Sequence, residues 1–416
     1  MYKANFNDLT SLLGPVRTYE LQPFLEQLKG KTFHHITGPN PPSVVIEQIA
    51  RWMSIGRQVG FVCTWDRLWA DKNFEEACDV LALESLNPSF VWTSALQQTY
   101  REGFELGYSS LQTVQWTADV VFIHEVCMLP LIQKRNHAHW VYHSHDYLGH
   151  APRVLAEKFK SDLDQFDAVV FPNASFAMAG LPQPQLWHPT VDILSPRNAE
   201  LSAQEQAALW PLTQLREGEP YILYADRYDR LEHAEQLLTY YVQHEISQKL
   251  GLVLALEAGS TSENAQRRAK ALQQLAGGHA NVHVSVLPQN EGLLNVLRRR
   301  SAVQLYWPKA GRNDQSLIEA LWAGSPVVLI DQIGVRDIVR PNVTAVVTKD
   351  PNAMLDKALL LATNAELGKG LVERARMHTL DYALLDQELI NLACLLALKN
   401  STADQVDWSL TSISAA

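Results

Sequence analysis

The chain has 416 residues, 47% of them hydrophobic and 19% charged, and a formal net charge of -10. That length exceeds what one hydrophobic core usually serves, and the apolar content is too high for a disordered chain, so two folded domains are expected. The acidic balance gives no electrostatic footprint for nucleic acid and none for an anionic bilayer.

Short runs rich in Val, Ile and Phe alternate with longer helical patterns, the signature of parallel sheets wrapped by helices. In the first half strands are expected at 33–37, 60–64, 120–124, 141–144 and 168–172, with amphipathic stretches at 44–56 and 155–166 between them. The polar, proline-containing stretch 196–219 reads as a linker with one short helix. The alternation then restarts with strands at 221–225, 252–257, 282–284, 303–307, 327–330 and 345–347, and the chain turns helical from Asp350 to about Lys399. The expected organisation is therefore a domain over 1–195, the linker 196–219, a second domain over 220–385, and a helix and tail over 386–416.

Cys63, Cys78, Cys127 and Cys394 form no CxxC pair or close cluster, which fits a reducing cytoplasm. Residues 1–15 lack the apolar centre of a secretion signal, and no run of about 20 apolar residues suggests a membrane span.

Chemistry concentrates in Gln304-Leu-Tyr-Trp-Pro-Lys-Ala-Gly-Arg-Asn-Asp-Gln-Ser-Leu-Ile-Glu-Ala-Leu-Trp-Ala-Gly-Ser-Pro-Val-Val-Leu-Ile330. A strand ends at Trp307, Asn313 or Asp314 supplies a helix N-cap, and Gly324 with Pro326 stops the helix. Such a helix start presents unpaired N–H groups and a positive dipole end where a diphosphate is held without metal. Glu319, about one turn in, is placed to accept two ribose hydroxyls.

This segment resembles the retaining GT-B glycosyltransferases that include sucrose and trehalose synthases. Their Pro-Ser-x-x-Glu-Gly-Phe-Gly-Leu-x-x-x-Glu-Ala-x-x-x-Gly-x-Pro-Val is matched here at Pro308, Glu319, Ala320, Gly324, Pro326 and Val327, and Gly334-Val-Arg-Asp-Ile-Val is similar to a later family motif. The strand Tyr221-Ile-Leu-Tyr-Ala-Asp-Arg resembles the family strand ending in Gly-Arg, which makes Arg227 a partner of the donor phosphates. Trp140-Val-Tyr-His-Ser-His-Asp is similar to the Trp-Arg-Cys-His-Ile-Asp of nucleotide-glucose-dependent trehalose synthases, which makes His143 the histidine that touches the donor sugar. Further likenesses lie at Asp119–Glu125, at Phe166-Asp-Ala-Val-Val-Phe-Pro and at His188-Pro-Thr-Val-Asp-Ile-Leu-Ser-Pro, so the resemblance spans roughly 30–385.

Two Rossmann-like doubly wound domains facing across a cleft are implied. So is retaining transfer of a hexose, glucose first, from a nucleotide-diphosphate sugar to a sugar or other acceptor hydroxyl. On this basis His143 and Arg227 are the catalytic candidates. Glu319, Lys309, Gly311, Arg312, Asn313, Asp314, Gln315 and Ser316 bind the donor, and Gly38, Asn40, Glu125, His145 and Asp146 lie on the acceptor side. No cofactor or metal is required, and a homodimer is allowed. Within the family the leaving phosphate itself takes the acceptor proton.

The chain departs from the pattern at three places. Gly311 replaces the family's sugar-contacting Glu, and Glu232 replaces a Lys that Arg230 or His233 could supplant. The loop Thr37-Gly-Pro-Asn-Pro-Pro-Ser43 has one glycine where the family has a pair. These departures support an alternative, a catalytically silent homologue serving as a binding or scaffold subunit. Two further features bear on the chemistry. Five histidines fall between His137 and His150, but no HExxH helix or cysteine pair completes a metal site, so sugar contact is preferred for His143. Asp162-Leu-Asp164 sits in a helical pattern whose alternate residues diverge, which makes it a solvated helix face.

Overall fold

The computed structural model describes residues 5–84, 87, 89–111, 117–145, 147–148, 151–178, 180–181, 184–227, 232–257, 263–287, 291–307 and 315–400. The chain divides into two compact units. The N-terminal unit takes 5–172, 177–187 and 385–400, and the C-terminal unit takes 173–176 and 188–384.

In the N-terminal unit the order is α1 (Phe6–Leu28), β1 (Thr32–Thr37), α2 (Ser43–Val59), β2 (Val62–Arg67), α3 (Lys72–Glu84), α4 (Ser94–Leu111), β3 (Val120–Ile123), β4 (His139–His143), α5 (Arg153–Leu163), β5 (Ala168–Phe171) and β6 (Gln185–Leu186). The strands form one parallel sheet in the order β2-β1-β3-β4-β5-β6. The central strand β3, Val-Val-Phe-Ile, is buried throughout, as a strand covered on both faces requires. Gly60 ends α2 at φ 103°, a left-handed turn that glycine adopts without strain, so the second strand starts at Val62 and not at Gly60.

The C-terminal unit continues with α6 (Ala203–Leu209), β7 (Tyr221–Arg227), α7 (Glu232–Gln243), β8 (Gly251–Glu257), α8 (Glu263–Ala276), β9 (Val282–Leu287), α9 (Glu291–Arg300), β10 (Val303–Tyr306), α10 (Gln315–Trp322), β11 (Val327–Ile330), α11 (Val335–Ile338), β12 (Val346–Thr348), α12 (Pro351–Thr363) and α13 (Ala365–Tyr382). Its sheet is again parallel, in the order β12-β11-β10-β7-β8-β9. The period-2 alternation of strands appears directly in the cores. Ile222, Tyr224, Leu252 and Leu254 pack with Leu237, Leu272 and Leu355 of α7, α8 and α12. Tyr221, Leu223, Val253 and Ala255 pack with Leu293, Leu294 and Leu297 of α9.

The stretch 196–219 differs from the expected linker. It belongs to the C-terminal unit, where Ser202 and Glu205 close a capping box on α6 and Asn295 of α9 donates to the carbonyls of Pro196 and Ala199. No helix among the described residues is long and apolar enough to cross a membrane.

The last helix, α14 (Leu385–Asn400), belongs to the N-terminal unit. Asp386 takes two bonds from Arg17 of α1, at 2.6 and 2.9 Å, and the buried carboxylate of Glu388 accepts from Arg51 at 2.8 Å and from the Trp52 indole. Removing one member of a buried ion pair leaves the other desolvated and costs about 3–5 kcal/mol. Glu388→Ala should therefore raise amide exchange in α14 and α2 while β7–β12 keep their protection. Unchanged exchange in α14 would show that the clamp contributes nothing.

Candidate functional site

Both sheets have a topological switch point, the place where neighbouring strands send their following connections to opposite faces and where ligands bind in open α/β sheets. In the C-terminal unit it lies between β7 and β10. Arg227 ends β7, in register with Glu257 of β8, and is described by its backbone alone. The chain after β10 leads into α10, so the helix start expected near residue 314 is present from Gln315. Gln315 and Ser316 open that helix half-buried, and the Ser316 hydroxyl meets the Tyr306 hydroxyl at 3.2 Å. Lys309, Gly311, Arg312, Asn313 and Asp314 lie outside the described residues, as does Arg230. His233 stacks flat on Trp307 at the end of β10, with a centroid separation of 4.7 Å, and its Nδ1 lies 3.1 Å from the Trp307 carbonyl.

Glu319 lies on α10 and is 2% exposed. Its Oε2 accepts from Arg197 Nε at 2.7 Å and from Arg298 Nη1 of α9 at 2.8 Å. Burial alone would raise the carboxyl pKa, but the two guanidinium groups outweigh it and hold the group down at about 2. The segment carrying Arg197 is fixed by Arg299 and by the Trp322 indole, both donating to the carbonyl of Asn198. Neither arginine was legible as a partner, because they stand 122 and 21 residues away in sequence. The available signal was indirect: a carboxylate on the buried side of an apolar helix needs counter-ions.

The switch point of the N-terminal sheet lies between β1 and β3, and four histidines gather beside it. His35 is on β1, His124 follows β3, His143 ends β4 and His145 is two residues beyond. The register pairs His35 with Phe122 and Ile123 with Tyr142, so positions 35, 122, 124, 143 and 145 fall on one face. His35 Nδ1 lies 3.0 Å from His124 Nε2, and His124 Nδ1 lies 3.2 Å from His145 Nε2. The rings of His143 and His145 are 4.4 Å apart, and Trp187 closes edge-on against His143 at 5.3 Å. Burial is the main cause that pushes His35 down to about 3 and His145 to about 4, and it holds His124 and His143 well below the ordinary imidazole value. All four are neutral at pH 7. His35 and His124 were not singled out from the sequence, since only strand pairing brings them to His143.

Among the residues expected on the acceptor side, Glu125 Oε2 accepts from the Gly38 N–H at 2.8 Å, and a Cβ at Gly38 would meet Glu125 Oε1 at 3.0 Å and Cys127 Sγ at 3.1 Å. The single glycine of that loop is thus required by close approach. Asn40 is exposed and donates to Glu75 and Asp79 of α3, and Asp146 lies outside the described residues. The expectation of a solvated Asp162-Leu-Asp164 face is corrected. Asp162 is buried beside Lys158 at 3.4 Å, because its side of α5 faces the protein, while Asp164 is exposed.

Comparison with known proteins agrees with this architecture. Residues 44–178 match the family described as "Trehalose synthase, N-terminal domain". The chain is 20% identical over 383 residues to the trehalose synthase of Pyrococcus horikoshii, covering 90% of this chain and 91% of that one. To the trehalose synthase of Thermococcus litoralis it is 22% identical over 384 residues, covering 89% and 92%. The fold is shared with the UDP-forming alpha,alpha-trehalose-phosphate synthase of Burkholderia vietnamiensis at a TM-score of 0.69, 12% identity and coverage of 89% and 99%. The two parallel sheets are those of the GT-B fold.

Glu319 contributes to the stability of the C-terminal unit through its two arginine partners. A carboxylate with a lowered folded pKa stabilises above its unfolded value, near 4.5, and loses that contribution as pH falls toward about 2. Glu319→Gln should therefore destabilise the C-terminal unit by about 3–5 kcal/mol at pH 7. Its stability should also vary less with pH than the wild type between 4.5 and 2, as followed by denaturant unfolding. Parallel acid limbs in both proteins would refute the charged pair.

Proposed function

We propose that this trehalose synthase-like glycosyltransferase moves a hexose, glucose first, from a nucleoside-diphosphate sugar to an acceptor hydroxyl with retention of configuration. The observation that carries the proposal is the C-terminal switch point, where Arg227 ends β7 and α10 begins beyond the connection from β10. A helix start and a strand end that carries an arginine suit a diphosphate, whose charge grows as the sugar departs. Both bonds to the Glu319 carboxylate fall on Oε2, so Oε1 is the oxygen assigned to the ribose hydroxyls.

The N-terminal unit supplies the sugar-side groups. His143 is neutral there and serves as a hydrogen-bonding group, not as a cation, and Gly38 and Glu125 form a braced acceptor-side loop. No side-chain base is assigned, since the departing phosphate oxygen takes the acceptor proton. Gly311 leaves the donor sugar without the carboxylate that the resembled motif places there, so affinity for the sugar is expected to be modest.

At least one nucleoside diphosphate should stabilise the protein in thermal unfolding, by about 2.7 kcal/mol at a hundred times its dissociation constant, and should do so equally in EDTA. Gly311→Glu should raise affinity for the sugar nucleotide more than for the bare diphosphate. Absence of stabilisation by every nucleoside diphosphate would overturn the donor site.

A further inference from the structure

The histidine cluster of the N-terminal unit is more than a packed core. His124, His143 and His145 are all buried, and one nitrogen of each can be chosen so that no two lie farther than 4.8 Å apart. The edge between two nitrogens of a tetrahedral zinc site is about 3.3 Å, given zinc–nitrogen bonds of about 2.0–2.1 Å. His124 Nδ1 and His145 Nε2 are already 3.2 Å apart, close to that edge, and His143 stands near enough to complete the set.

Proton counting shows why hydrogen bonding alone leaves the cluster unsatisfied. Three neutral imidazoles carry three N–H protons, and the row His35, His124, His145 has two contacts to share them. The third proton therefore sits on an outer nitrogen, either His35 Nε2 or His145 Nδ1, and both are buried without a hydrogen-bond partner. His143 Nδ1 is in the same condition. A cation between His124 Nδ1 and His145 Nε2 leaves both outer nitrogens protonated, so it is the ligand geometry and not the proton count that favours it. His124 then donates through Nε2 to His35 Nδ1, the outer hydrogen bond that ordinarily orients a metal-bound histidine, and His145 meets the ion through a bare nitrogen. Phe122, Trp52 and Trp187 pack around the four rings and hold them in place.

We propose that His124, His143 and His145 bind one divalent transition-metal ion of borderline softness, zinc above all, with His35 as the outer partner of His124. Imidazole ligands alone select zinc, copper, nickel or cobalt over magnesium and calcium, which prefer oxygen. Three nitrogen ligands leave the fourth position of a tetrahedron for an oxygen from solvent or ligand. The site goes beyond the transfer reaction and shares one residue with it, His143. The diphosphate contacts of the C-terminal unit need no part of it.

The test is metal content, not turnover. Full-length protein purified without added chelator, or stripped and then titrated with zinc, should hold one equivalent per chain. Cobalt substitution should give the intense visible bands of a tetrahedral ion, and X-ray absorption should show three imidazole nitrogens at about 2.0–2.1 Å. His124→Ala and His145→Ala should each weaken zinc binding at least about a hundredfold. Should either variant fail to fold by circular dichroism, the wild-type cobalt and absorption spectra decide. No uptake by the wild type, an oxygen-dominated coordination shell, or affinity unchanged in folded variants would overturn the site. Nucleoside-diphosphate binding, measured on the same samples, stands or falls separately.

Discussion

The C-terminal unit is organised by the need to keep the Glu319 carboxylate charged inside the protein. A lone buried carboxylate would take up a proton, and two guanidinium groups prevent this by bonding one of its oxygens. That requirement draws the segment around Arg197 against α9 and α10. Asn295, Arg299 and Trp322 complete the seam by satisfying the carbonyls of Pro196, Asn198 and Ala199. A polar stretch that would otherwise run free is thereby made part of the unit, and the helix pointing at the C-terminal switch point is held in place.

The same topological rule acts in both units. A parallel sheet sends all its strand ends to one edge, and a change in connection direction opens a crevice there. The C-terminal unit uses the crevice to present a strand end bearing Arg227 and a helix start, features suited to anions. The N-terminal unit presents neutral nitrogen ligands in an aromatic surround, features suited to a soft cation or a hydroxyl-rich molecule. The two edges thus differ in chemistry although their backbones are alike.

Among the departures from the resembled motifs, Glu232 opens α7. The proline-rich run after Gly38 leads directly into α2. Where backbone packing is tight the pattern holds: Gly38 is hemmed in by Glu125 and Cys127, and Gly334 by Phe176 and Asn173. A side chain at either glycine would displace a neighbour.

The sequence by itself determined the alternation of strand and helix, the presence of two parallel sheets, the helix start after β10 and the place of Glu319 within it. Each follows from local periodicity, capping and stop signals that a dozen neighbouring residues carry. Tertiary structure alone decided which residues meet. Arg197 and Arg298 reach Glu319 from other segments, His35 and His124 join His143 and His145 only through the pairing of β1, β3 and β4, and α14 returns to the N-terminal unit through Glu388. It also separated Asp162 from Asp164, one buried on α5 and the other exposed at its C-terminal cap. The reason is physical. Local propensity is read over a few residues, whereas a buried charge or imidazole finds its partner wherever the sheet order brings one, at separations that no sequence period encodes.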